Sequence, residues 1–176
     1  RVRQDDMLAV WPSAYPGDSI LDVLTYAGAN DAYNLAIGSG VGVSYAKDSF
    51  SASFSVVSEE PGDANAETGG VWTEGGSDVT TTQVAYSGDN WTVAAVYTTD
   101  DGGIKDDAAA NSNRYTAWGI SGVYNIDNDS QIAPSSISAG YGSKSPDTTD
   151  DVNNIEDVST WSLGLIWNDA FIDGNN

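Results

Sequence analysis

The side chains able to do chemistry in this chain are nearly all carboxylates. Asp and Glu number 26 against 6 Lys and Arg, a formal net charge of −20, and neither cysteine nor histidine occurs. There is therefore no thiolate nucleophile, no imidazole acid or base, no serine or cysteine triad and none of the common zinc ligand sets. Carboxylate and oxygen-ligand chemistry is what is left. Adjacent acids recur at Glu59 and Glu60, Asp100 and Asp101, Asp106 and Asp107, and Asp150 and Asp151. Such pairs suit Ca²⁺ or Mg²⁺, which take oxygen ligands. The simpler reading is a hydrated acidic surface that repels anions.

Each sharper motif fails on spacing. Asp127, Asn128, Asp129 and Gln131 begin like a calcium loop, but Ile132 stands where its glycine belongs and no glutamate follows at the required distance. A glycosidase needs two carboxyl groups held about 5–9.5 Å apart, and nothing in the sequence pairs them so. The doublets Gly69/Gly70 and Gly75/Gly76 lack the following Lys and Ser or Thr of a phosphate loop. The reading is that the chain is not an enzyme and needs no metal and no cofactor. With so few basic residues it has no phosphate footprint either, so nucleic acid is not a partner.

What remains to be explained is the pattern that would have to position any site. From Asn34 to Ser58 the residues alternate with period two, the signature of strands. Leu35, Ile37, Val41, Val43 and Tyr45 fall on one face, and Asn34, Ala36, Gly38, Gly40, Gly42 and Ser44 on the other. After a tight turn at Lys47 and Asp48, Phe50, Ala52, Phe54 and Val56 oppose Ser49, Ser51, Ser53 and Ser55. One face is greasy, and the other is small and polar. The rule returns in Thr81–Tyr97 around a turn at 88–90, in Arg114–Asn125, in Ile137–Gly142 and in Trp161–Trp167.

Tyr45 and Phe50 bracket the first turn, and Tyr86 and Trp91 bracket the second in the same way. Rings at strand ends are what a membrane boundary favours. No apolar run approaches the ~20 residues of a spanning helix, so any membrane segment here must be β. Shorter turns alternate with the long acidic links 59–79, 100–113 and 145–159, the asymmetry of outer-membrane barrels. The expected fold is therefore all-β, an antiparallel up-and-down transmembrane barrel with about seven strands over 34–167. An odd number of strands does not close such a barrel, so the expectation is part of a larger one. Residues 1–33 are expected to be an ordered loop, with a short helix capped by Asp18 or Ser19 and ended by Gly28. The small polar face nominates Asn34, Gly38, Gly40, Gly42, Ser44, Ser51, Ser53 and Gln83 as pore-lining.

The stretches RVRQDDMLAVWPSAYPGDSILDVLTYAGA, AYNLAIGSGVGVSYA and WSLGLIWNDAFIDGN resemble the cyanobacterial outer-membrane porins, often called iron uptake porins, of the carbohydrate-selective porin family. The resemblance runs over the whole chain and corresponds to a middle part of that family's barrel domain. It implies passive diffusion of small hydrophilic solutes and inorganic ions, iron among them, in the outer membrane. It also implies assembly as a homotrimer amid lipid and lipopolysaccharide. Residues 1–33 then become a loop folded into the lumen, on which Arg1, Arg3, Asp5 and Asp6 form a charged constriction felt by passing ions. The bland alternative is that these charges pair with one another or with further strands.

The rival fold is a soluble, secreted acidic β-sandwich, an adhesin or a sugar- or calcium-binding module, in which the greasy face is the core between two sheets. Both folds require the alternation. They differ in what the greasy face meets.

Overall fold

The computed structural model describes residues 2–9, 32, 36–58, 71–72, 77–102, 114–127, 133–146 and 157–167. They form one all-β, antiparallel up-and-down sheet. Its strands are β1 (Val2–Arg3), β2 (Ile37–Lys47), β3 (Phe50–Ser58), β4 (Asp78–Ser87), β5 (Trp91–Asp100), β6 (Tyr115–Asn125), β7 (Ser136–Pro146) and β8 (Val158–Ile166). Every strand pairs with its neighbours in sequence, and the sheet stays open between β1 and β8. Among the described residues no helix is long and apolar enough to cross a membrane, which says nothing of strands. The expected helix after Asp18 or Ser19 and residues Arg1 and Asn34 lie outside the described residues.

The seven long strands are those the alternation predicts, with bounds that differ at several ends. β4 begins at Asp78 rather than near Thr81, because Ser58 pairs with Asp78 and Val57 with Val79. Their pairing is reinforced where Val57, Val79 and Ala36 form a small buried cluster. Inside the expected loop, Val2–Arg3 adds a two-residue strand against Ile37 and Gly38. A single 3-10 turn, Asp5–Met7, follows it.

The turns explain the register. Between β2 and β3 only Asp48 and Ser49 intervene, and Asp48 takes a φ of 53°. Two-residue hairpin turns need such a left-handed residue, and aspartate tolerates it better than most. Between β4 and β5, Gly88 N–H donates to the Trp91 carbonyl at 2.8 Å. A Cβ on Gly88 would lie 2.4 Å from Trp91 Nε1, so the indole lies where only glycine leaves room. The strand ends joined by these turns and by the link 126–135 lie at one end of the sheet, and those joined by the links 59–77, 101–114 and 147–157 at the other.

Register turns the alternation into two surfaces. One face carries rows such as Tyr45–Ala52–Val84–Ala95–Ile120–Tyr141–Trp161. The opposite face carries Ser44–Ser53–Gln83–Val96–Gly119–Gly142–Thr160, with Gly42–Ser55–Thr81–Thr98–Ala117–Lys144 beside it. The apolar face is bare: Val43 is 65% exposed, Leu163 63% and Trp161 76%. The middle of the polar face is covered, with Ser53, Ser55, Thr81, Gln83, Thr98 and Ser121 all buried, while Ser44 and Ala46 near the first short turn stay exposed. This inverts the usual water-soluble arrangement, in which burial removes apolar surface from water. The bare band stops toward the long-link end, where β3 is buried on both faces over Ser55–Ser58 and Val56 is enclosed although it shares the Phe54 face.

Candidate functional site

The polar face is covered in part by the chain's own beginning. Gln4 lies at its edge with no exposed surface. Its backbone N–H donates to the Ala36 carbonyl at 3.0 Å. Its side-chain Nε2 donates to Ser55 Oγ at 2.9 Å and to the Val79 carbonyl at 3.1 Å, so one amide ties the segment to both β3 and β4. The 3-10 turn carries the chain onward. Met7 then lies over Gly42, where a Cβ would meet its sulfur at 2.6 Å. Ala9 N–H donates to Ser53 Oγ at 3.0 Å, and Leu8 packs against the cluster of Ala32, Val96, Tyr115 and Ala117. The segment 2–9 thus crosses from β2 toward β5 and β6.

Hydroxyls continue the seat. Thr81 Oγ1 and Thr98 Oγ1 share a 2.8 Å hydrogen bond, and Thr98 Oγ1 donates to the Ala32 carbonyl at 2.6 Å. Buried hydroxyls need partners, and here backbone carbonyls and one another supply them. Farther along the face Lys144 Nζ stands 4.2 Å from the centre of the Tyr115 ring, a cation–π contact.

The sequence-predicted residues separate into three sets. Gly38, Gly40, Gly42, Ser44, Ser51, Ser53 and Gln83 do share one face of the sheet. Gly38, Ser53 and Gln83 are buried there, Gly40, Gly42 and Ser51 half-buried, and Ser44 exposed. Gly42 and Ser53 seat the segment directly. Of the four charges, Arg3 and Asp6 are exposed, and Asp5 has its backbone in the 3-10 turn. Gln4, Ser55, Thr81 and Thr98 were missed. The last three share the parity of Ser53 and Gln83 and follow once the register is known, whereas nothing in RVRQDD distinguishes Gln4 from its charged neighbours.

Glu59/Glu60, Asp106/Asp107, Asp150/Asp151 and residues 128–131 lie outside the described residues, and the acids described around the long-link end accept hydrogen bonds within the fold. Ser77 Oγ donates to Asp100 Oδ1 at 2.7 Å, which also accepts the Gly102 N–H at 2.8 Å. Asp101 Oδ1 accepts the Asp78 N–H at 2.8 Å, and Asp78 Oδ2 accepts the Trp72 N–H. Asp100 is buried, so it is not part of a hydrated acidic surface. Among the described residues no group of three or more acids is placed to hold a metal ion.

On the bare face the aromatic residues form two rows. Toward the short turns Phe50 pairs with Tyr86 and Trp91 with Tyr124, and Tyr86 stacks on Trp91 with centroids 5.7 Å apart. Toward the long links Tyr97 pairs with Trp118, whose ring lies 5.5 Å from that of Tyr141. Trp91 and Tyr97 stand six residues apart on β5, as do Trp118 and Tyr124 on β6, which is about 20 Å along a strand. Between the rows lie Val93, Ala95 and Ile120, apolar and exposed. Comparison with protein-family models, with curated proteins and with solved structures found no match to this chain.

Proposed function

We propose that this sheet is a section of the wall of an outer-membrane porin, its apolar face against lipid and its polar face toward a water-filled lumen. Small hydrophilic solutes and inorganic ions pass by diffusion, without cofactor or energy coupling. The single observation that carries this reading is the inversion of burial, with serine, threonine and glutamine enclosed while valine, leucine, tyrosine and tryptophan stand bare. Seven strands at a spacing of about 4.8 Å by about 20 Å of band make a footprint of roughly 600 Å². That flat figure already reaches the largest apolar patches of ordinary soluble monomers, roughly 300–600 Å².

Two further features support it. Strands of nine to eleven residues are the length a tilted membrane-crossing strand requires. The two aromatic rows have the character of interfacial girdles, although the ~20 Å between them falls short of the ~25 Å band of outer-membrane barrels. The resemblance to cyanobacterial porins points the same way and adds the trimer as an expectation.

The test is ion conductance of the full-length protein in a planar bilayer, together with extraction from washed membranes. Stepwise conductance and a requirement for detergent are expected. Release of the protein by washing alone, with no conductance, would overturn the reading in favour of a soluble β-sandwich.

A further inference from the structure

The geometry points to Gln4 as the positioning residue of the pore: it fastens the segment 2–9 across the polar face and so fixes the width and local field of the passage. This deepens the porin reading and rests on it. β1 contributes two residues of pairing, and Met7 and Leu8 contribute apolar contact that permits sliding. Ala9 N–H on Ser53 Oγ adds one hydrogen bond to β3, but among the described residues of the segment it is Gln4 whose side-chain amide bridges two strands, on Ser55 Oγ of β3 and the Val79 carbonyl of β4. Hydrogen bonds are directional, so this contact sets position where apolar contact does not.

What is positioned matters as much. Arg3 and Asp6 flank the anchor and are exposed, while the rows beneath on β2–β4 are hydroxyls, glycines, valines and an uncharged amide, with the buried Asp100 of β5 beside Val79. The field presented by the segment is therefore localised by an anchor that carries no charge.

The decisive experiment uses Gln4→Leu, which keeps bulk and removes both donors, in the full-length protein in planar bilayers. Unfastening the segment raises the single-channel conductance and shifts the reversal potential under a salt gradient away from the wild-type value. A second variant keeps the idea falsifiable if the leucine also loosens folding. The chain has no cysteine, and a Cβ on Gly42 would lie 3.0 Å from Met7 Cβ, short of the 3.5–4.5 Å of a disulfide, so an outward shift of about half an ångström closes the staple. Met7→Cys with Gly42→Cys, added to Gln4→Leu, restores wild-type conductance and reversal potential when oxidised and loses them again on reduction. A folded Gln4→Leu protein with wild-type values of both, or an oxidised staple that restores neither, overturns the role of Gln4. Absence of conductance from the wild type overturns instead the porin reading on which it rests.

Discussion

Ile120→Arg separates lipid from water at the apolar face more sharply than any other single change. Ile120 lies on β6, 46% exposed, two residues from Trp118 and four from Tyr124. Those offsets put it roughly 7 Å and 13 Å along β6 from Trp118 and Tyr124, between the two rings and across from Tyr141 on β7. An arginine at the midplane of a barrel wall destabilises it by about 2–4 kcal/mol, falling to about 0–1 near the interface. The first figure is about a 30- to 800-fold loss in the folding equilibrium. Tyr124→Arg, in the girdle row, is the internal control and should cost about 0–1 kcal/mol. If the face met water, both changes would fall within about 0.5 kcal/mol of wild type, as exposed substitutions do. Urea titration of protein folded into lipid vesicles, followed by tryptophan fluorescence, measures both. Equal small effects at Ile120 and Tyr124 would refute the depth argument and with it the lipid contact.

Three further changes probe the turns and the seat. Asp48→Gly relieves the left-handed backbone at φ 53° and should stabilise the protein slightly, whereas Asp48→Val should destabilise it by about 1–2 kcal/mol, both read by the same urea titration. Gly88→Ala forces Trp91 from its place, since the new Cβ would meet the indole nitrogen; loss of the Tyr86–Trp91 stack should remove near-ultraviolet circular dichroism and about 0.5–1.5 kcal/mol. Gly42→Val pushes Met7 off β2 and should make the segment 2–9 cleavable by added protease while the strands stay protected, as limited proteolysis with mass spectrometry would show.

The sheet and its two faces were legible in the sequence because side-chain period in a strand is two, so a run such as Trp118, Ile120, Tyr124 against Gly119 and Ser121 determines both element and face. Strand ends were less so. β4 gains Asp78–Thr80 from pairing with β3, a tertiary effect that local alternation does not contain. The seat was the least legible part. Its contacts run from Gln4 to Ser55 and Val79, 51 and 75 residues away, and a lone glutamine in a charged stretch carries no periodic signal. Of the acid pairs only Asp100 and Asp101 lie among the described residues: Asp101 is exposed as its sequence suggests, whereas the fold turns Asp100 inward to accept Ser77 and Gly102.

The most direct trial of the central claim is a nitroxide scan along Tyr115–Asn125, one cysteine at a time in the otherwise cysteine-free chain, in lipid vesicles. Positions 118, 120 and 122 should collide freely with dissolved oxygen and hardly at all with a water-soluble nickel chelate, while 117, 119 and 121 should show no such preference. Ready access of the nickel chelate to positions 118, 120 and 122 would contradict the account.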